Sequence, residues 1–196
     1  MATHPRWTAG MLGNGMPKIG NLAPYGMGST LMEQARNAAS QIDPTLTWKD
    51  LEWLRSVWPG HLAVKGIMDA GDALACQKAG AQTVIISNHG GRQMDPAPSS
   101  LSVLPDIAEA LKGETEIILD GGVRWGGDVV TALALGAQAV GIGRPWAWAL
   151  AAGGERGVRS LVNGLGDEIR DVLRLGGMVD LASLRSQGRA MLRPVS

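Results

Sequence analysis

A parallel α/β fold of the (β/α)8-barrel type, present here as about four βα units, is predicted by three observations. Four short apolar runs each end in a polar, mostly glycine-containing loop: Leu62 to Val64 before Lys65-Gly66, Thr83 to Ile86 before Ser87-Asn88-His89, Glu116 to Leu119 before Asp120-Gly121-Gly122, and Ala139 to Ile142 before Gly143-Arg144-Pro145. Helix-length stretches near 70 to 80, 99 to 112 and 127 to 136 separate these runs, and a helical region from about 146 to 175 follows the last. Such runs read as buried strands, and their alternation with helices reads as a parallel sheet covered by helices. The third observation is an internal repeat. Gly71-Asp72 through Gly80-Ala81-Gln82-Thr83-Val84 matches Gly127-Asp128 through Gly136-Ala137-Gln138-Ala139-Val140, an offset of 56 residues that spans two units. Convergent turn chemistry between helix and strand produces such a match. So does duplication of quarter-barrel units, and repetition of that kind suits a barrel better than an open sheet.

Residues 1 to about 30 are rich in Gly, Met, Pro and Asn and show no sustained period, so they read as an irregular segment. His4, Arg6, Trp7 and Trp48 read as single surface residues. A helix is expected from Ser29 to Ile42, with Ser29 or Thr30 as its cap, and another from Thr47 to Arg55, with Thr47 capping and Asp50 three residues on. On the second, Trp48, Leu51 and Leu54/Arg55 recur at helical spacing and predict a face packed against a sheet. The chain is therefore divided into loop and helices over 1–60, four βα units over 61–152, and C-terminal helices over 153–196, all of one domain.

With 196 residues, 45% of them hydrophobic, the chain can bury one core. Eighteen basic and eighteen acidic residues leave no net charge, which argues against nucleic acid as a partner. The one cysteine, Cys76, stands in a helix-like run from Ala73 to Lys78 and reads as a buried thiol in a reducing compartment. No apolar run reaches the roughly 20 residues that cross a bilayer, and the start lacks a signal-peptide pattern; a cytoplasmic protein is expected, at most peripheral to the inner face of the membrane. Many of the 28 glycines fall directly after apolar runs, as in strand-end loops that approach a ligand closely.

In a barrel the C-terminal strand ends form one face, so Lys65, Ser87, His89, Arg92, Asp120, Arg124 and Arg144 are expected to converge there. The loops Asp120-Gly121-Gly122-Val123-Arg124 and Gly141-Ile142-Gly143-Arg144 each join exposed backbone N–H groups to an arginine fork and read as an anion cradle. The plainer alternative pairs Arg124 and Arg144 with carboxylates such as Asp128 or Glu155. His89 can act as a general base, the imidazole being the side chain suited to proton transfer near neutral pH, although a lone histidine is more often structural. Arg92 favours the functional reading, because its planar guanidinium suits bidentate binding of a carboxylate. Lys65 adds a positive charge that can stabilise negative charge on a reduced cofactor ring; a Schiff-base lysine is the other option, and nothing in the sequence signals the lowered pKa it needs. No metal ligands are assigned.

These residues, in this order and spacing, resemble the FMN-dependent α-hydroxy acid dehydrogenase family, which includes glycolate oxidase, L-lactate dehydrogenase and (S)-mandelate dehydrogenase. The resemblance is carried by Leu62-Ala63-Val64-Lys65-Gly66, Ser87-Asn88-His89-Gly90-Gly91-Arg92-Gln93, Asp120-Gly121-Gly122-Val123-Arg124 with Gly127-Asp128, and Gly143-Arg144-Pro145. It runs from about His4 to Leu184, and His4-Pro5-Arg6-Trp7, Gly20-Asn21-Leu22 and Asp43 to Leu54 look most like the bacterial lactate and mandelate enzymes. It implies oxidation of a small L-2-hydroxy acid to the 2-keto acid. Lys65 would meet the flavin N1/O2 edge and Ser87 the flavin ring; His89 would be the base and Arg92 the carboxylate clamp. Asp120, Gly121, Gly122, Val123, Arg124, Gly143 and Arg144 would hold ribityl and phosphate. Quinone or oxygen would be the electron acceptor. Residues 1–40, with Trp7, Met11, Leu12, Met16 and Met27, would lie at a membrane surface in some relatives, or merely cover the site.

The resemblance covers the second half of the family's barrel and the loop before it. The first four strands would supply further flavin contacts, tyrosines near the substrate, a second substrate arginine and the aspartate that orients the histidine. The sequence has one tyrosine, Tyr25, in the segment read as irregular. Four strands leave two open edges and an uncovered inner face, so the chain alone is expected to be a homo-oligomer or poorly folded. A catalytically incomplete half-barrel that binds FMN or another phosphate ligand without turnover is the alternative function. A different phosphate-binding barrel enzyme, such as an isomerase, fits less well with the His89/Arg92 pair.

Overall fold

A computed structural model describes residues 5–15 and 17–192, the side chains of Arg6 and Trp7 aside; His4 and Met16, singled out above, lie outside the described residues. The chain divides into two compact units, Met1–Thr47 and Trp48–Ser196.

The first unit corrects the expectation of an irregular start. Helix α1 spans Pro5–Asn14, and a 3-10 turn spans Gly20–Tyr25. Pro5 stands at the first helical position, where its fixed φ suits a helix and its missing N–H costs nothing, while Gly10 and Gly13 hide the period in the sequence. Helix α2 spans Leu31–Ala39 and stops short of the expected Ile42. Its cap is Thr30: Oγ1 accepts from the Glu33 N–H at 3.2 Å, and Glu33 Oε2 accepts in return from the N–H groups of Thr30 and Ser29. The Ser29 backbone N–H contributes most to holding the Glu33 carboxyl below its ordinary value. Gln34, buried on α2, accepts from the Ile19 N–H at 2.7 Å and so ties the 3-10 segment to the helix.

The second unit starts with α3 (Trp48–Val57). Of its expected core face only Leu51 packs against the core; Trp48 and Leu54 are exposed. The helix rests on α4 (Ala70–Lys78) rather than on the sheet, because α4 and the helices that follow already cover the sheet. The strands are β1 (Ala63–Ile67), β2 (Thr83–Ile86), β3 (Glu116–Asp120) and β4 (Ala139–Gly141), all parallel in the order β1-β2-β3-β4. Between them run α4, α5 (Ser100–Leu111) and α6 (Gly126–Ala134); α7 (Arg144–Leu175) and α8 (Leu181–Gln187) follow. Helix α7 begins two residues before its expected start, with Pro145 in its first turn, and is broken at Gly154, where φ is 60° and ψ is −144°.

Strand β1 runs three residues past its expected end. Lys65 pairs with Ile85 and Ile67 with Ile86, so Gly66, at φ 99°, is an extra residue bulged out of the ladder. The bulge leaves Lys65 on one face and turns Ile67 into the core on the other. Side chains alternate along each strand: Val84, Ile86, Ile117 and Leu119 are buried under the helices, while Ala63, Lys65 and Ala139 on the opposite face are exposed. The result is a partial (β/α)8 barrel with helices outside and an inner face open within this unit.

The core joins Val84, Ile86 and Leu119 of the sheet to Cys76, Leu104, Ile107, Leu111, Val130 and Leu184 of the helices. Cys76 is fully buried as expected; burial, and then the Asp72 charge, push its thiol pKa up, away from the reactive thiolate. Helix α6 meets α7 closely enough that a Cβ on Gly126 would lie 2.6 Å from the Ile169 nitrogen. The Gly126 N–H donates to Glu168 Oε2 at 2.6 Å.

The 56-residue repeat has a physical counterpart. The Gln82 N–H donates to the Leu62 carbonyl at 3.0 Å while its side-chain Oε1 accepts from the Leu62 N–H at 2.7 Å. Gln138 brackets Ile117 in the same way, at 2.8 and 2.5 Å. Each glutamine thus fixes the register of its strand against the preceding one, β2 on β1 and β4 on β3. No helix among the described residues is long and apolar enough to cross a membrane.

Candidate functional site

At the C-terminal ends of β1, β2 and β3, parallel register brings three polar side chains together from distant parts of the sequence. Lys65 Nζ donates to Ser87 Oγ at 2.9 Å and forms an ion pair with Asp120 Oδ2; Ser87 Oγ donates to the same oxygen at 2.7 Å. Ser87 is buried, and its Oγ also accepts the His89 N–H at 3.2 Å. Partial burial raises the Asp120 pKa, but hydrogen bonds from Lys65 and Ser87 and the charges of Lys65 and His89 outweigh it, so the carboxyl sits below its ordinary 3.8. A depressed carboxylate contributes stability that is complete above its unfolded-state value and is lost as pH falls through its lower folded-state value. Asp120→Asn is therefore expected to flatten the acid side of the stability profile, below pH 3.8, in urea unfolding series. A profile that keeps the wild-type slope would refute this role.

Past β2 the chain makes a tight turn over His89–Gly91, with His89 at φ 56°, Gly90 at 70° and Gly91 at 71°. A left-handed conformation at a residue other than glycine costs about 1–3 kcal/mol and persists where the surroundings over-determine it, commonly at functional sites. The turn leaves the His89 and Arg92 side chains exposed on one cleft of about 410 Å³. Lys65, Asp120, Gly121, Gly122, Val123, Arg124, Gly143 and Arg144 line the same cleft. Every expected site residue except the buried Ser87 therefore reaches it directly, and Ser87 touches it through Lys65. Sequence reasoning missed Trp146 and Trp148, which also line the cleft and are exposed. The available signal was their position directly after Arg144-Pro145, in the first turns of a helix that starts at the site.

Two glycines that line the cleft, Gly121 and Gly141, stand where a side chain would be strained or crowded. A Cβ on Gly121 (φ 106°) would lie 3.2 Å from Ser100 Oγ and 3.4 Å from Asn88 Oδ1; one on Gly141 would lie 2.9 Å from Asp120 Oδ1. Arg144 opens α7, and its Nη2 donates to the Gly90 carbonyl at 3.4 Å. The carboxylates that could have neutralised the two arginines are engaged elsewhere. Asp128 Oδ2 accepts from the backbone N–H groups of Arg124 and Trp125, at 2.8 and 3.2 Å, and Glu155 pairs with Arg159 at 2.7 Å. Among the described residues neither guanidinium meets a carboxylate. Two open guanidinium forks, exposed glycine backbone and a helix N-terminus form a donor set that fits a phosphate dianion.

The model of the family described as FMN-dependent dehydrogenase matches residues 1–191. An L-lactate dehydrogenase of Xanthomonas campestris pv. campestris is 44% identical over 185 residues, 93% of this chain and 48% of that protein. Another, from Pectobacterium atrosepticum, is 42% identical over 186 residues, 94% of this chain and 48% of its own length. Among solved structures, one described as the monotopic membrane protein (S)-mandelate dehydrogenase aligns with a TM-score of 0.86 at 41% identity, over 92% of this chain and 48% of that one. A mandelate oxidase with (S)-4-hydroxymandelic acid aligns with a TM-score of 0.73 at 42% identity, over 78% and 43%. This chain spans about half the length of the curated relatives it matches.

Proposed function

This chain belongs to the FMN-dependent dehydrogenase family, and from that premise we propose that it binds FMN at its strand ends and oxidises a small L-2-hydroxy acid, lactate-like or mandelate-like, to the 2-keto acid. The observation that carries the reading is a single cleft lined at once by His89 with Arg92 and by Arg124 with Arg144. Arg124, Arg144, Gly121, Gly122, Val123 and Gly143 would hold the phosphate and the chain leading to it. Asp120 would meet the ribityl hydroxyls, and Lys65 and Ser87 the flavin ring. Bound FMN supplies the two-electron acceptor. Arg92 would clamp the substrate carboxylate through two parallel hydrogen bonds, which orients the hydroxyl-bearing carbon toward His89. The His89 imidazole would take one proton from the substrate and release it to solvent, to which its side chain is exposed. The Lys65 charge, already balanced by Asp120, would stabilise negative charge that develops beside it.

Quinone or oxygen would take the electrons onward. The relative described as a monotopic membrane protein supports peripheral membrane contact through residues 1–40, where Leu12, Tyr25 and Met32 are exposed. Among the described residues of the second unit, the unpaired edges of β1 and β4 and the open inner face of the sheet support a homo-oligomer, which light scattering on the purified chain distinguishes from a monomer. A second reading, FMN binding without turnover, is favoured by the share of the relatives that this chain covers and by the absence, among the described residues, of a carboxylate hydrogen-bonded to the His89 ring. One experiment separates the readings. The purified chain is titrated with FMN, and L-lactate or (S)-mandelate is then added without oxygen. Bleaching of the yellow spectrum supports oxidation, binding without bleaching selects the second reading, and no binding overturns both.

A further inference from the structure

We propose that Asn88 is a positioning residue that fixes the His89 turn and the phosphate cradle relative to one another. The proposal rests on the reading of His89 as base and of the Gly121 loop as anion site. Every polar atom of Asn88 is used. Its Oδ1 accepts the Gly90 N–H at 3.0 Å and its carbonyl accepts the Gly91 N–H at 3.1 Å, so both residues after His89 are tied back to it. Its Nδ2 donates to the Pro98 carbonyl at 3.1 Å and its N–H donates to Ser100 Oγ at 3.4 Å, which anchors the turn to the start of α5.

The same amide sits against the cradle. Asn88 Oδ1 and Ser100 Oγ are the two atoms nearest to where a Cβ on Gly121 would stand, at 3.4 and 3.2 Å, and Ser100 is almost fully buried. From the other side Arg144 donates to the carbonyl of Gly90, the residue whose N–H Asn88 holds. Only an amide does all of this, since one end must accept from Gly90 and the other must donate to Pro98. An aspartate keeps the first contact and loses the second; an alanine loses both. Asn88 thus acts on the chemistry through its neighbours, by holding His89 in a left-handed conformation that the residue would leave if released.

The test uses the full chain and its three histidines, few enough for each Cε1–H resonance to be assigned by NMR. Asn88→Ala is expected to displace the His89 resonance and to leave that of His61, hydrogen-bonded to Thr83 at the opposite end of the strands, where it was. FMN titrated into the same sample is expected to bind roughly 10-fold more weakly, the order of one lost hydrogen bond in the cradle wall. Asn88→Asp, which keeps the acceptor for Gly90, is expected to return His89 close to its wild-type position. If Asn88→Ala does not fold, amide exchange in the unsubstituted chain decides: slow exchange at Gly90 and Gly91 supports the clamp. A folded Asn88→Ala with an unmoved His89 resonance, unchanged FMN affinity, or fast exchange at Gly90 overturns the proposal. Failure of the base reading is seen separately, as bleaching that survives His89→Gln while the NMR result stands.

Discussion

With Arg124 and Arg144 both replaced by methionine, FMN is expected to bind roughly 100-fold to 10,000-fold more weakly, because each hydrogen bond to a charged group contributes about 1.5–3 kcal/mol. Methionine keeps most of the side-chain volume and removes only the fork. Neither guanidinium is committed to a carboxylate, so no buried negative charge is stranded by the change and the fold has no reason to suffer. Asp128 keeps its two backbone partners, since it binds the N–H groups of Arg124 and Trp125 rather than a side chain. Arg144 gives up one 3.4 Å bond to Gly90, a contact on the exposed side of the turn. Quenching of FMN fluorescence measures the affinity, and thermal melts establish that the variant is folded. Affinity within a few-fold of the unsubstituted chain would remove the phosphate cradle from this site.

The second large effect is expected at His89. His89→Gln is expected to slow bleaching of bound FMN by L-lactate or (S)-mandelate by roughly 100-fold to 10,000-fold, the range of general-base catalysis. FMN affinity should stay within a few-fold, because the turn is held by the Asn88 amide and by backbone bonds rather than by the His89 ring, and Ser87 receives only the His89 N–H. Glutamine preserves hydrogen bonding but cannot accept a proton near neutral pH. Rate and affinity are read from the same absorbance trace. Equal losses in both would point to collapse of the turn rather than loss of a base.

The strand ends were legible because two periods meet there. Apolar runs stop abruptly at Lys65, Ser87, Asp120 and Gly143, and glycine follows or precedes each functional residue closely. Helix α1 was not legible, since Gly10 and Gly13 erase the apolar spacing that marks a helix. Trp48 and Leu54 misled for the opposite reason: their spacing is helical, but the sheet was already covered and α3 rests mainly on α4. The end of β1 was misplaced because Gly66 reads as a turn, whereas in the ladder it is a bulge that lets the strand continue.

By itself the sequence determined which side chains stand at the strand ends, because hydrophobic period and glycine placement are local properties of the chain. Tertiary structure alone decided which of them touch. Lys65 and Asp120 are 55 residues apart, and only the parallel register of β1, β2 and β3 makes them an ion pair bridged by Ser87. The freedom of Arg124 and Arg144 was likewise undecided in the sequence, where Asp128 and Glu155 stood near enough to neutralise them. It follows from the folded chain turning Asp128 onto backbone N–H groups and Glu155 onto Arg159, which leaves two positive forks facing the cleft.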